Sequence, residues 1–321
     1  MLRWETNRGV EDNPEPSARA GQSFGGKQTA MKRTFFLAVA SILLLTFSAL
    51  AEPLPLEGPA PYPPVMSALS EDGLSYDDGT LKIRIVPDES RVTKLYYVYV
   101  TITDPTQLRT AYTPRGRSEY VLPLNFAKRN NAVLTVNGDF YNWHNDGVVY
   151  RQGKKIRYRP SYIRDELLID ENGDLTIIAA PDHGGNNYIV NRIKEFQEKH
   201  EIWQAFCFGP GLIVDGKEVT FNYRRKTSCQ YHEKTPRVIF CQMGPLEYMF
   251  LITEGRSKEA PGYTIPECVE ILKEHGGVQQ AYNLDGGNST HLILCGKKIN
   301  VPDRNSRAIS DIIYFATLAR Q

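Results

Sequence analysis

Among 321 residues there are only five cysteines, and no two of them form a CxxC pair. A structural zinc site of the usual spacing is therefore not expected. Cys207, Cys229, Cys241, Cys268 and Cys295 are irregularly spaced and odd in number, so at least one thiol lacks an intramolecular partner. Buried free thiols and one or two bridges are both compatible with that pattern. Neither sign of charge dominates, with 38 Lys and Arg against 37 Asp and Glu. That balance gives no footing for binding nucleic acid or an acidic membrane surface. No segment repeats at a period of about 20–50 residues, which argues against a solenoid or propeller. The chain also lacks an apolar run of the roughly 20 residues that span a bilayer.

The most apolar stretch, Phe35–Phe47, has 13 residues. It follows Met31-Lys32-Arg33 and closes on Ala49-Leu50-Ala51, an A-x-A cleavage pattern. A basic start, a short apolar run and small residues at the end read as a signal peptide, with Met31 a natural start; an uncleaved N-terminal anchor is the alternative. A secreted or cell-envelope location is expected, with the membrane met only through this export signal. Residues 1–51 therefore read as extension plus signal. Six prolines within residues 52–66 favour extended polyproline structure, so 52–75 reads as a linker. The folded part is expected over 76–321 as a single catalytic domain.

Strand signals dominate there. Leu81–Val86 alternates apolar and polar residues, and Lys94–Thr103 is β-branched and tyrosine-rich. Glu166–Ile169 and Leu175–Ile178 flank Glu171-Asn172-Gly173-Asp174, a hairpin turn. Arg237–Cys241 and Tyr248–Thr253 flank Met243-Gly244-Pro245 in the same way, and Ala132–Val136, Leu292–Leu294 and Ile312–Phe315 add further strands. Helices are expected over Asn191–Ala205 and Ile265–His275. Thr264 and Glu267 form a capping box on the second, and Gly276-Gly277 ends it. The fold class is mixed α/β (α+β), a largely antiparallel twisted sheet with a few packed helices.

Three loops could carry chemistry. Asn137-Gly138-Asp139 follows an apolar strand and runs on into aromatics instead of a returning strand. Glu254-Gly255-Arg256 sets a carboxylate and a guanidinium around one glycine at a strand end; a solvated surface pair is the plain alternative. Asn283-Leu284-Asp285-Gly286-Gly287, followed by Ser289 and Thr290, is the richest. Paired glycines let backbone approach a ligand closely, although they also suit an ordinary hairpin.

These pieces occur in the order of a known family. From Leu81 to Phe315 the chain resembles the phosphodiester glycosidases. The match rests on Asn137-Gly138, Gly209-Pro210-Gly211-Leu212-Ile213-Val214-Asp215-Gly216, Thr235-Pro236-Arg237, Glu254-Gly255-Arg256, Thr264 with Glu267, Asn283 to Gly287, Ser289-Thr290 and Arg307. Asp139, Glu254 and Asn288 depart from it, standing where the family usually has glycine, aspartate and glycine. The resemblance implies hydrolysis of the bond between a sugar's anomeric carbon and a phosphate. A phosphate leaves as a weak base, so it needs a cation for its charge more than a general acid. Asp285, Glu254 and Asp139 are the carboxylate candidates. Arg237, Arg256 and Arg307 are the phosphate clamps, and Asn137, Gly138, Gly286, Gly287, Ser289 and Thr290 are further substrate contacts. A glycan or sugar-phosphate partner follows; no cofactor and no metal is expected. Two other readings remain open at this point: a non-catalytic envelope protein that binds glycan, and a phosphodiesterase that attacks phosphorus.

Overall fold

The computed structural model describes residues 52–114, 120–181, 185–220, 230–300 and 307–320. The expected signal peptide and Cys229 lie outside the described residues. Among the described residues three antiparallel sheets make up the fold. The largest has eight strands in the spatial order Ser75–Asp77, Leu81–Asp88, Leu95–Ile102, Glu247–Thr253, Val238–Gly244, Gln280–Asn283, Gly211–Val214 and Lys217–Glu218. A second, of five strands, runs Lys154–Arg159, Gly147–Arg151, Gln204–Phe206, Glu166–Ile169, Leu175–Ile178. The third, also of five, runs Lys297–Lys298, Leu292–Leu294, Leu134–Asn137, Asp311–Phe315, Leu108–Tyr112.

One core joins all three. Val98, Phe240 and Phe250 of the large sheet, Leu167 and Phe206 of the second, and Val136, Leu292 and Phe315 of the third belong to a single buried cluster. Phe240 and Phe250 stack at 4.5 Å between ring centroids. Helices cover the outer faces. Ile265–His275 lays Cys268, Val269 and Leu272 on Ile239, Met249 and Leu251. Its capping box forms as the sequence implies, Thr264 accepting from the Glu267 N–H and Glu267 accepting from the Thr264 N–H. Because both faces of these strands are buried, they read as apolar runs more than as clean alternation.

Two expectations shift. The helix expected over Asn191–Ala205 lies at Gly185–Gln197. Its apolar stripe is Ile189, Ile193 and Phe196, and the buried Ala205 sits instead on the strand Gln204–Phe206. Good helix formers after Gln197, and Ile202 and Ala205 packing into the same cluster from outside the helix, extended the pattern past the helix end. The proline-rich stretch is not a free linker, because Leu54 and Ala60 are buried beside Phe126, Ile312 and Tyr314. A fully buried arginine holds it. Arg109 donates to the Pro55 carbonyl at 2.8 Å, to Gly58 at 3.0 Å and to the Tyr314 hydroxyl at 2.9 Å. Prolines leave carbonyls without competing N–H groups, which suits such a strap. The four described cysteines, Cys207, Cys241, Cys268 and Cys295, are free thiols. No helix among the described residues is long and apolar enough to cross a membrane.

Arg109→Ala should remove at least about 3 kcal/mol of stability, since several buried carbonyls lose their donor together. A fall in the urea midpoint at unchanged slope would show it.

Candidate active site

A cleft of about 300 Å³ opens where the loops after several strands converge. Asp285, Gly286, Gly287 and Asn288 form one wall, and Arg256, Arg237 and Arg307 stand beside them. Phe140, Trp143, His144 and Phe208 form an aromatic wall, with Arg164 also lining the cleft.

Asp285 is nine-tenths buried. Its Oδ2 accepts from Arg307 Nη2 at 2.9 Å and its Oδ1 accepts from the Gly286 N–H at 2.9 Å. Burial raises the carboxyl above the usual range, while Arg307 opposes that rise. Arg307 also donates from Nε to Ser289 Oγ at 2.8 Å. Gly287 has a φ of 57°, and a Cβ there would meet Arg256 Nη2 at 2.6 Å. Glycine is favoured there by its conformation, and a side chain would displace the Arg256 guanidinium. Arg256 reaches across to Asn288 Oδ1 at 2.7 Å and Thr235 Oγ1 at 3.2 Å.

The turn is braced from beneath. The Asn137 amide donates to the Asp285 carbonyl at 2.7 Å, and its Oδ1 accepts from the His291 N–H at 3.1 Å. Asn137 is almost wholly buried and does not line the cleft. Gly138 accepts from the Asp285 N–H at 3.3 Å. A Cβ on Gly138 would run into the Asp311 carboxylate. Thr290 is buried behind the turn, its carbonyl held by Asn300.

Two expected carboxylates are not brought to the cleft. Asp139 is fully buried, and its Oδ1 pairs with Arg151 Nη2 at 2.6 Å, a guanidinium shared with Asp311 Oδ2 at 2.8 Å. Asp139 Oδ2 accepts from the Cys207 N–H at 2.8 Å. Burial and the neighbouring Asp139 push the Asp311 carboxyl up, against Arg151. Glu254 does not line the cleft, and its Oε1 accepts from the Tyr96 hydroxyl at 2.7 Å. Among the described lining residues Asp285 is thus the sole carboxylate. Arg237 does line it, but its guanidinium is spent on the backbone carbonyls of Tyr263 at 3.1 Å, Gln230 at 2.9 Å and Glu233 at 2.8 Å. Arg164, Arg256 and Arg307 are the other cations that line the cleft.

Sequence reasoning assigned no role to Trp143, His144, Arg164 or Phe208. Trp143 is 59% exposed and stacks on Phe140 at 5.9 Å. His144 Nδ1 lies 3.1 Å from Arg164 Nη2. Arginine can only donate, so that nitrogen accepts and Nε2 carries the proton. Burial and Arg164 hold the ring neutral, down to about 4. The aromatics after Asn137-Gly138 were the one available signal for this wall. Asp170, Glu171 and His200 are close enough together to hold a metal ion. None of the three lines the cleft, and His200 Nδ1 lies 3.1 Å from Asp170 Oδ2 as in an ordinary ion pair.

A cleft with one buried carboxylate, guanidiniums and an aromatic wall suits hydrolysis of an anionic sugar derivative. The phosphodiester glycosidase family model matches residues 130–316, more than half of the chain. The chain belongs to the phosphodiester glycosidase family and is a glycosidase hydrolase acting on phosphodiester-linked sugars. Among solved structures it is similar to the catalytic domain of zebrafish N-acetylglucosamine-1-phosphodiester α-N-acetylglucosaminidase, auto-inhibited by its pro-peptide. Identity there is 17% and the TM-score 0.55, over 74% of this chain and 82% of that one. It is also similar to a hypothetical protein from Synechocystis at 14% identity and a TM-score of 0.47, over 73% of this chain and 62% of that one. No curated protein matches the chain.

Arg151→Met would leave Asp139 and Asp311 facing each other without a cation, at a cost of about 3–5 kcal/mol in urea unfolding. Arg307→Gln removes the charge that opposes the rise of the Asp285 carboxyl. Its titration, followed by the ¹³C shift of that carboxyl, should therefore move to higher pH. The acidic limb of kcat/KM on a sugar-1-phosphodiester should move with it.

Proposed function

We propose that the chain is an exported hydrolase that frees a sugar from a phosphate in glycosyl-1-phosphodiesters of an extracellular or cell-envelope glycan. The observation that carries this reading is the pairing of Asp285 with Arg307 in a cleft where, among the described lining residues, no other carboxylate stands. The sugar lies against the aromatic wall of Trp143 and Phe208, whose ring faces suit the apolar face of a pyranose. The phosphate lies toward Arg256 and Arg307.

In that pose the bond from the anomeric carbon to the phosphate oxygen breaks, and the phosphate keeps the electron pair. The guanidiniums hold its charge, so no second carboxylic acid is needed to protonate it. Asp285 is the carboxylate that meets the electron deficit at the anomeric carbon, and water supplies the new oxygen. Burial raises the Asp285 carboxyl, and the Arg307 contact opposes that rise.

Export is supported by the order of basic residues, apolar run and A-x-A site between Met31 and Ala51. The zebrafish protein acts on N-acetylglucosamine-1-phosphodiesters by its name, which makes such a compound the first probe.

Incubation with an N-acetylglucosamine-1-phosphodiester in ¹⁸O-water should place the label in the released sugar. Label in the phosphate would mean attack at phosphorus, and binding without release would mean a glycan-binding protein. Asp285→Asn should lower turnover on the order of a thousandfold or more, with the circular-dichroism spectrum unchanged. Wild-type turnover in that variant would refute the assignment.

A further inference from the structure

Phe140 has a backbone conformation that bulky residues rarely adopt, with φ 53° and ψ 43° in the left-handed region. Such strain persists where neighbouring structure imposes it, and it concentrates at functional sites. Here the Phe140 N–H donates to Asp311 Oδ1 at 3.0 Å, and its carbonyl accepts from the Trp143 N–H at 2.9 Å. The ring is buried, stacked on Trp143 and met edge-on by Tyr120 at 5.3 Å. The Arg307 guanidinium carbon lies 4.4 Å from the centre of the same ring.

That last contact adds to a hold on Arg307 that, among the described residues, consists of two hydrogen bonds. Its side chain is 42% exposed, and Ser289 Oγ and Asp285 Oδ2 are its hydrogen-bond acceptors. The arginine end of the pair is half-exposed, so holding its long side chain in one geometry costs entropy. An aromatic face that is itself fixed adds attraction and restricts the guanidinium to one place.

We propose that Phe140 is a positioning residue: its strained backbone presents the ring on which Arg307 rests, and so keeps the guanidinium on Asp285. The assignment rests on Asp285 being the working carboxylate. The other charged groups of the cleft have partners elsewhere, Arg164 with His144, Arg237 with backbone carbonyls and Arg256 with Asn288 and Thr235. Burial and Arg164 hold His144 neutral down to about 4, so the Asp285 titration is read above that pH. Removing the ring therefore acts on Asp285 through Arg307 and not through a second charge.

The test is a ¹³C titration of the Asp285 carboxyl in the full chain, without substrate, so it stands whether or not the proposed reaction is correct. Phe140→Asn keeps a residue that tolerates the left-handed backbone but has no ring. Its Asp285 titration should shift to higher pH by at least half the shift seen in Arg307→Gln. Phe140→Tyr, which keeps the ring, should titrate as the wild type. Combining Phe140→Asn with Arg307→Gln should add nothing to Arg307→Gln alone. If Phe140→Asn fails to fold, Phe140→Leu carries the same expectation. A wild-type Asp285 titration in a folded ring-less variant overturns the proposal, as does an additive shift in the double variant.

Discussion

A single guanidinium, sealed from water, underlies the geometry of the cleft. Arg151 sits between Asp139 and Asp311, with both carboxylates within 2.8 Å of its Nη2, and it also donates to the Ala205 carbonyl. Asp311 in turn accepts from the backbone N–H groups of Asp139 and Phe140. One strand each from two sheets, and the loop between Asn137 and His144, are thereby tied at one point. Buried charges of this kind contribute little when replaced wholesale by apolar residues, yet cost several kcal/mol when one partner is stripped. Their value here is positional. They fix where the chain leaves the strand Leu134–Asn137, and so where the aromatic wall begins.

From that point the site is assembled by short braces. Asn137 links the strand it ends to the Asp285 turn and to His291. The strand Gln280–Asn283 delivers Asp285, and the Glu247–Thr253 strand delivers Arg256. Each of these side chains belongs to a loop, but each loop starts from a buried strand end. This is how a polar cleft keeps a fixed shape without regular structure of its own.

Much of the framework was legible from the chain itself. The strands Glu166–Ile169, Leu175–Ile178 and Leu292–Leu294 and the helix Ile265–His275 fall where their patterns place them, because caps, turn residues and apolar runs agree there. The strands Leu108–Tyr112, Gly147–Arg151 and Lys154–Arg159 were not legible. The first two carry buried basic residues with distant partners, Arg109 with the strap and Arg151 with Asp311, and the third is largely exposed. The same limit applied at the site. Asp285, Gly287, Arg256 and Arg307 sit in the cleft, whereas Asp139 and Glu254 carry equally suitable chemistry and face elsewhere. Spacing along a chain cannot tell a carboxylate aimed at a ligand from one aimed at a buried arginine.

Three open sheets bring six edges, and the way those edges are finished bears on how the molecule behaves in a crowd of its own kind. Lys217–Glu218 and Lys297–Lys298 close their sheets with two residues each, and the longer Lys154–Arg159 is basic and exposed at both ends. Elsewhere a side chain takes the place of a neighbouring strand: Gln152 accepts from the Thr110 N–H and Gln242 from the Leu175 N–H. A second copy meets brief, lysine-bearing or already occupied borders in place of a flat row of free backbone groups. A chain so rich in strands thus resists growing into a larger sheet by adding one more.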